Sequence, residues 1–410
     1  MGALPAAGGS TISVMLAAFL AWGLWSLAAG RFEFRLTRSD RQLAWAFTAF
    51  AVLVFMTGLL AENRAQVFCS TPWLLPFLSL WVVIPRLRAS PDVDYLRLYI
   101  LGAATGCIGA LAFAGIQISW VGLERPEGGA GNPAIFAIIA LCLAGFAGLA
   151  VNAHRRSHRL LSIIGLAAGL IAVVLSLTRG VILVIPLTLI LLLVYSPRSW
   201  RMIALRPATL ALLVGTSLLL YSASGMLENR LNFTMTEVEL LLSGAHSDSM
   251  GERVRLWNVA WAAFKDSPIW GYGVQNRMDA LVPYFMRDNL PNLGFTHPHN
   301  GYLAAALDGG LVVVLALLAL LVTPILVAWR APRDSAWRQR LFFALLLTST
   351  YAATGMTQIL FKHDIMDAFF IFSTIVIAAS IPQKPAKTNA EGSTDPDQEL
   401  PIKTGSPPPL

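Results

Sequence analysis

The residues Thr-His-Pro-His-Asn-Gly at 296–301 stand immediately before a long apolar run. An imidazole has a pKa of about 6.5, so His297 and His299 can take or give a proton at neutral pH. At the outer interface of a membrane, a neutral imidazole would deprotonate a sugar hydroxyl. A loop histidine without a chemical role is the alternative, and Asn300 could cap the following helix whatever the chemistry. No third metal ligand of the usual spacing is nearby, so we predict no metal site.

Three arginines are candidates for binding an anion. Arg179 lies between two apolar runs with no acidic residue beside it. An arginine in or near the hydrocarbon usually faces a cavity, an anionic partner or the interface, although snorkelling to lipid phosphates is the alternative. Arg253 and Arg255 fall near the start of a predicted helix. Cations at a helix start interact unfavourably with the helix dipole, at a cost of roughly 0.3–1 kcal/mol. An anionic ligand bound there would offset this cost. Simple exposure of both arginines to solvent is the alternative.

The helix that carries these two arginines is predicted from its boundaries. Residues 249–252 have capping-box spacing, and Pro268 closes the helix. An apolar stripe at 3.6-residue periodicity is expected to lie against the membrane surface or the top of a helix bundle. The stripe consists of Val254, Trp257, Trp261 and Phe264.

The composition predicts a membrane protein. Of 410 residues, 56% are hydrophobic and 13% are charged, with a mean hydropathy of +0.63, and a soluble domain needs far more polar surface. Apolar runs of spanning length recur without strand-like alternation, which indicates an all-α polytopic bundle. The net charge of +7 reflects arginines in short loops, where they set topology, so no nucleic-acid partner is expected. The three cysteines lack metal or disulfide spacing and are expected to pack.

The chain divides into four predicted regions. About eight transmembrane helices occupy 1–224, a long outer loop with the amphipathic helix occupies 225–300, about three more spans occupy 301–381, and a disordered tail occupies 382–410. The ninth span is long enough to bend near Asp308, so the total is eleven or twelve. The predicted spans are 11–29, 42–60, 71–85, 97–121, 134–152, 160–177, 180–196, 207–224, 301–329, 341–360 and 366–381.

Arginine-rich loops alternate with loops poor in lysine and arginine along all eleven predicted spans, except that the longest outer loop, 225–300, also carries basic residues. The arginine-rich loops are cytoplasmic by the positive-inside rule, so the chain starts outside and its C-terminus lies in the cytoplasm. The first apolar run lacks a basic n-region and is expected to be a retained span. The loop with Arg179 and the segment 225–300 then lie on the same outer side.

This placement suggests a reaction class. An outer compartment has no nucleotide supply, so the substrate must bring its own activated leaving group, as a polyprenyl diphosphate sugar does. The enzyme then needs cations for the departing diphosphate and a base for the acceptor. Arg179, Arg253 and His299 fit these roles. No DxD motif stands outside, so arginine is expected to replace Mg²⁺, although outer-loop glutamates (Glu62, Glu124 and Glu127) leave a metal-dependent route open.

Three features, in this order, resemble the O-antigen ligase (WaaL) and polymerase superfamily. They are the Thr178-Arg179-Gly180 turn; Arg253-x-x-x-Trp257 followed by Pro268-Ile-Trp-Gly271-Tyr-Gly273; and His297-Pro-His299-Asn300 with Gly309-Gly310 downstream. The resemblance covers mainly residues 170–330. It implies a GT-C-like helical fold in the bacterial inner membrane, a periplasmic active site, an undecaprenyl diphosphate-linked glycan as donor and no cofactor.

The resemblance also assigns residues and leaves alternatives. It places His299, Arg179 and Arg253 in the active site, and we predict that the substrate is bound by His297, Asn300, Arg255 and Trp257. A ligase of lipopolysaccharide biosynthesis, which transfers the glycan to lipid A–core, is favoured over a polysaccharide polymerase. A lipid or polysaccharide transporter is the alternative from another class. Members usually have about twelve spans and an early basic residue for the lipid, for which Arg64, Arg86 and Arg88 are candidates.

Overall fold

The computed structural model describes residues 6–61, 67–90, 92–149, 155–195, 235, 249–287 and 295–382. Within these residues every regular element is a helix, which confirms the all-α prediction. The α-helices are α1 (Thr11–Ala28), α2 (Arg38–Leu60), α3 (Val67–Leu74), α4 (Leu80–Arg88), α5 (Tyr95–Ser119), α6 (Pro133–Gly148), α7 (Arg156–Leu175), α8 (Arg179–Ile182), α9 (Ile185–Tyr195), α10 (Ser249–Asp266), α11 (Val282–Arg287), α12 (Gly301–Arg330), α13 (Trp337–Thr354) and α14 (Asp364–Ala379).

Five of these helices, α1, α2, α5, α7 and α12, are long and apolar enough to cross a membrane. Two shorter apolar stretches, α6 and the α8–α9 pair, accompany them. The predicted spans therefore coincide with helices wherever the structure describes them, and the chain is a multi-pass helical membrane protein. The predicted span 207–224 and the predicted disordered tail from residue 383 lie outside the described residues.

Three predicted spans are interrupted, and one of them, the seventh, is the α8–α9 pair. The third span is two short helices, α3 and α4, joined by a 3₁₀ turn at Leu75–Leu78, where Pro76 lacks the N–H that an α-helix would use. The ninth span, α12, leaves helical geometry at Gly309 (φ −156°, ψ 24°) and Gly310 (φ 60°, ψ −156°). The predicted bend near Asp308 is thus confirmed.

Two helices form the interior of the bundle. Every residue of α6 from Ala134 to Gly148 is buried, and so is every residue of α14 from Ile365 to Ala378. A helix that is apolar on all sides is expected to be surrounded in this way. Small residues bring the neighbouring helices close: a Cβ on Gly165 of α7 would lie 2.6 Å from the Cα of Ala104 of α5.

The described loops gather at two opposite ends of the bundle. The histidine end comprises residues 6–10, 120–132, 176–184, 268–287, 295–300 and 355–363. It is joined by backbone hydrogen bonds such as Gly129 N–H to the Ala6 carbonyl (3.1 Å) and Gly301 N–H to the Gly355 carbonyl (2.7 Å). Every second loop along the chain therefore lies at the same end of the bundle, as the alternation of arginine-rich loops predicts. Which end faces the periplasm stays a prediction.

The arginine end comprises residues 29–37, 85–90, 92–94, 155–159, 331–340 and 380–382. Arg88 there forms a buried ion pair with Asp40 (2.8 Å) and donates to the Ala378 carbonyl (2.7 Å). Arg86 stacks over the ring of Trp22 at 3.7 Å. Both arginines were candidates for the early basic residue that binds the lipid, and the structure places them at the end of the bundle opposite to the histidines. Arg64 lies outside the described residues.

Candidate active site

The turn that precedes α12 is held by hydrogen bonds within itself. The backbone N–H of His299 donates to Nδ1 of His297 at 3.1 Å, so the proton of a neutral His297 resides on Nε2. Oδ1 of Asn300 accepts from the backbone N–H groups of Tyr302 (3.0 Å) and Leu303 (3.1 Å). The predicted N-cap is confirmed, and it accounts for the burial of Asn300.

His299 stands apart from the other residues of this turn. Its φ of 49° lies in the left-handed region, which is uncommon for a residue with a side chain and recurs at functional sites. Its ring contacts those of Phe295 and His297, with centroids 5.1 and 4.2 Å away. Nδ1 of His299 is buried and has no hydrogen-bond partner among the described residues. One ring nitrogen thus retains unused hydrogen-bonding capacity.

Helix α10 packs beside this turn. The indole N–H of Trp257 donates to the carbonyl oxygen of Pro298 at 2.9 Å. The face of α10 that packs on the protein carries Leu256, Val259, Ala260 and Ala263. In the predicted stripe Trp261 is 53% exposed, whereas Trp257 contacts the histidine turn, so the stripe packs only partly on the protein. Its contact with the membrane surface stays a prediction.

The break in α12 is filled by the segment that follows α10. The backbone N–H groups of Tyr272 and Gly273 donate to the carbonyls of Leu307 (2.7 Å) and Asp308 (3.0 Å), and Leu311 N–H donates to the Pro268 carbonyl (2.7 Å). These bonds replace the intrahelical ones that the break removes. A Cβ on Gly310 would lie 2.2 Å from the carbonyl carbon of Ile269. The glycines of both motifs therefore permit a close backbone approach.

A buried ionic group lies at this break. Asp308, 1% exposed, contacts Nε of Arg277 through Oδ1 at 3.0 Å and Nζ of Lys362 through Oδ2 at 3.1 Å. The Lys362 ammonium also lies 4.3 Å from the ring centroid of Trp73. Phe361, fully buried against rings of α2 and α14, anchors the loop that presents Lys362.

The electrostatics link the ionic group to the histidines. Burial lowers the pKa of His297 to about 4, and the nearby charges of His299, Arg277 and Arg253 act in the same direction. Burial, followed by the charge of Arg253, lowers the pKa of His299. Arg253 thus acts electrostatically on both rings, and Arg277 acts on His297. Both imidazoles are neutral at pH 7.

The turn that carries Arg179 lies at the same end of the bundle and is in contact with two loops there. Arg125 donates from Nε to the Ser176 carbonyl at 3.3 Å. A Cβ on Gly180 would lie 2.6 Å from Oγ1 of Thr357. Residue 357 belongs to the loop 355–363 that also receives the N–H of Gly301. The turn and the histidines therefore flank one loop.

The structure thus brings predicted and unpredicted residues to one end. His297, His299, Arg253 and Trp257 form one group, half-buried Arg255 lies on the same helix, and Asn300 caps α12. Arg277, Lys362 and Arg125 were not predicted. A signal existed for the first two: Asp308 is an acid within a long apolar span, and such an acid almost always has a partner. Which residues pair with Asp308 becomes apparent only from the fold.

Fold and site together define a multi-pass helical membrane protein with histidines and basic residues gathered at one end of the bundle. Residues 164–318 match the Wzy_C family model, described as O-antigen ligase, which confirms the resemblance to the O-antigen ligase and polymerase superfamily. Members of this family are glycosyltransferase-like membrane enzymes. The match includes Arg179, Arg253 and His299 and ends within α12, before Lys362. No curated protein matches the chain.

Proposed function

We propose that this protein is an O-antigen ligase that transfers a glycan from undecaprenyl diphosphate to lipid A–core in lipopolysaccharide biosynthesis. The observation that carries the proposal is the hydrogen bond from Trp257 to Pro298, which joins the helix of Arg253 to the turn of His297 and His299 within the segment that matches the ligase family. A neutral imidazole beside a guanidinium meets the two needs of transfer from a diphosphate-linked donor, a base and a charge acceptor.

In the proposed reaction His299 accepts the proton of an acceptor hydroxyl as that oxygen attacks the anomeric carbon of the donor. A bond forms between the acceptor oxygen and the anomeric carbon. The bond from that carbon to the diphosphate oxygen breaks, and undecaprenyl diphosphate leaves with the electron pair. The lowered pKa of His299 supports this role, because only the neutral imidazole can accept a proton.

Arg179 and Arg253 are proposed to hold the diphosphate and to stabilise the negative charge that develops on it. His297 and Trp257 then position the turn of His299, and Arg255 and Asn300 stay predicted substrate contacts. We propose a metal-independent reaction because guanidinium groups supply the positive charge. EDTA is therefore expected to leave the rate unchanged, and a loss restored by Mg²⁺ or Mn²⁺ would contradict this part of the proposal.

The histidine end is proposed to face the periplasm. The alternation of arginine-rich loops supports this orientation, and a lipid-linked donor supplies the energy that nucleotides cannot supply there. Single cysteines at two exposed positions test it, Glu124→Cys at the histidine end and Ser335→Cys at the arginine end, in a background with Cys69→Ser. A membrane-impermeant maleimide added to spheroplasts should label position 124 and leave position 335 unlabelled. The reverse pattern would overturn the orientation.

The reaction itself is tested with the purified protein in detergent and lipid-linked O-antigen, with and without lipid A–core. Glycan on the core, with release of undecaprenyl diphosphate, is the expected result. Lengthened donor without core would identify a polymerase, and absence of turnover would support a transporter. His299→Asn should be inactive, whereas the matched variant His158→Asn at the arginine end should be as active as the wild type.

A further inference from the structure

Arg277 and Lys362 both form an ion pair with the same carboxylate, that of Asp308, at the break of α12. Arg277 is 8% exposed and the Lys362 side chain 9%, and both contact Asp308. Asp367 is a second buried acid nearby, but within the described residues it makes no ion pair with Lys362, and neither of its oxygens has a hydrogen-bond partner. The direct contacts therefore leave positive charge in excess, which is costly in a buried place unless an anion offsets it.

The same two cations carry unused donors. Nε and Nη2 of Arg277 both donate to the Val274 carbonyl, while Nη1 is buried without a hydrogen-bond partner among the described residues. Lys362 has three N–H donors, and its contacts are Asp308 and the ring of Trp73. Buried donors without acceptors are rare in native proteins, because each loses its hydration without compensation.

The ionic group lies on the helix that follows the histidine turn, because Asp308 is about two helical turns after Gly301, the first residue of α12. Arg277 contributes to the lowered pKa of His297, and so does Arg253 from α10. The histidine turn thus has cations from two separate segments near it. Asp308 contacts Arg277 and Lys362 through different oxygens, which fixes the two cations relative to each other.

We infer that Arg277 and Lys362 form a subsite for one phosphate group of the donor's diphosphate, with Asp308 as the carboxylate that positions them. A phosphate offers several acceptor oxygens to the guanidinium and the ammonium, and it brings the missing negative charge. The inference rests on the proposed function. It also assigns a role to Lys362, which lies outside the segment matched by the ligase family.

The test compares two lipids that differ by one phosphate group. Binding of undecaprenyl diphosphate and of undecaprenyl monophosphate is measured by calorimetry in detergent, with the wild type and Lys362→Met. The wild type should prefer the diphosphate. Lys362→Met should weaken diphosphate binding by about 10- to 100-fold, the range of a lost hydrogen bond to a charged group. It should affect monophosphate binding less, so the preference falls.

Two further variants separate binding from a structural role. Lys265→Met removes an exposed lysine of α10 and should leave both affinities unchanged. Lys362→Met with Asp308→Asn removes one charge of each sign. If Lys362 serves only to neutralise Asp308, this double variant recovers the affinity, which would overturn the inference; continued weak diphosphate binding supports it.

The outcomes also separate this inference from the proposed function. If the wild type binds no undecaprenyl diphosphate, the ligase proposal fails and the subsite fails with it. If the wild type binds it and Lys362→Met keeps the full preference for the diphosphate, only the subsite is wrong.

Discussion

The indole nitrogen of Trp257 lies 2.9 Å from the carbonyl oxygen of Pro298 and donates a hydrogen bond to it. This bond joins α10 to the turn that carries His299. Arg253 lies one helical turn before Trp257 on the same helix. The bond therefore relates the position of a proposed diphosphate-binding cation to that of the proposed base.

Trp257→Phe should lower the turnover number of glycan transfer and leave the fold intact. The substitution removes a hydrogen bond worth about 1 kcal/mol, so we expect about a fivefold lower kcat if the bond holds His299 in its reactive position. Trp261→Phe is the control, because that indole is exposed on the same helix. Equal kinetics of both variants would contradict a positioning role for Trp257.

His299→Asn should abolish transfer while the donor still binds. Asparagine tolerates the left-handed conformation at this position better than most residues, so the turn should keep its shape. Donor binding is measured by calorimetry and transfer by gel analysis of the core lipid. Substantial transfer by the variant would exclude His299 as the base. Loss of donor binding would instead indicate that the ring contributes to the substrate site.

Local features of the fold follow from the sequence. The helical spans, the bend at Gly309-Gly310 and the N-cap at Asn300 each depend on a pattern within a few turns of chain. Hydropathy predicts the spans because a spanning helix satisfies its own backbone. Asn300 is predicted because a capping side chain contacts N–H groups only two and three residues away.

Contacts between distant segments could not be predicted in this way. Arg277, Asp308 and Lys362 are separated by 30 or more positions, and only the fold makes them neighbours. The residues of α10 that are buried against the protein were not part of the predicted stripe, for a related reason. That helix has two apolar faces, and hydropathy alone does not distinguish the face that packs on protein from one that remains exposed.

Gly310→Ala should destabilise the protein strongly. Its positive φ costs a side chain about 1–2 kcal/mol, and the new Cβ would also collide with the backbone of Ile269. Gly122→Ala is the matched control, because Gly122 also has a positive φ (74°) but nothing lies within 4 Å of its added Cβ. We expect a clearly larger drop in Tm for Gly310→Ala, measured by intrinsic fluorescence. Similar drops for both variants would show that the close approach contributes little.

Arg179→Lys should weaken donor use although it keeps the charge. A lysine cannot reproduce the bidentate contact of a guanidinium with a phosphate, so we expect kcat/KM for the donor to fall about tenfold, and further in Arg179→Ala. Arg338→Lys at the arginine end is the control, since that side chain is exposed and donates a hydrogen bond to the Val194 carbonyl, far from the histidines. Wild-type kinetics in both Arg179 variants would favour an arginine that snorkels to lipid phosphates.

Arg253→Gln should shift the acid limb of the pH–rate profile. Transfer requires neutral His299, whose pKa is lowered by burial and by the charge of Arg253. The wild-type kcat/KM should therefore fall only at a pH below about 6.5, the ordinary histidine value. Removing the cation makes protonation of His299 easier, so its pKa rises and the limb moves to higher pH, in addition to any loss of donor binding. Lys265→Gln removes an exposed charge from the same helix and should leave the limb in place. An acid limb that stays fixed in Arg253→Gln would mean that Arg253 does not act on the titrating base.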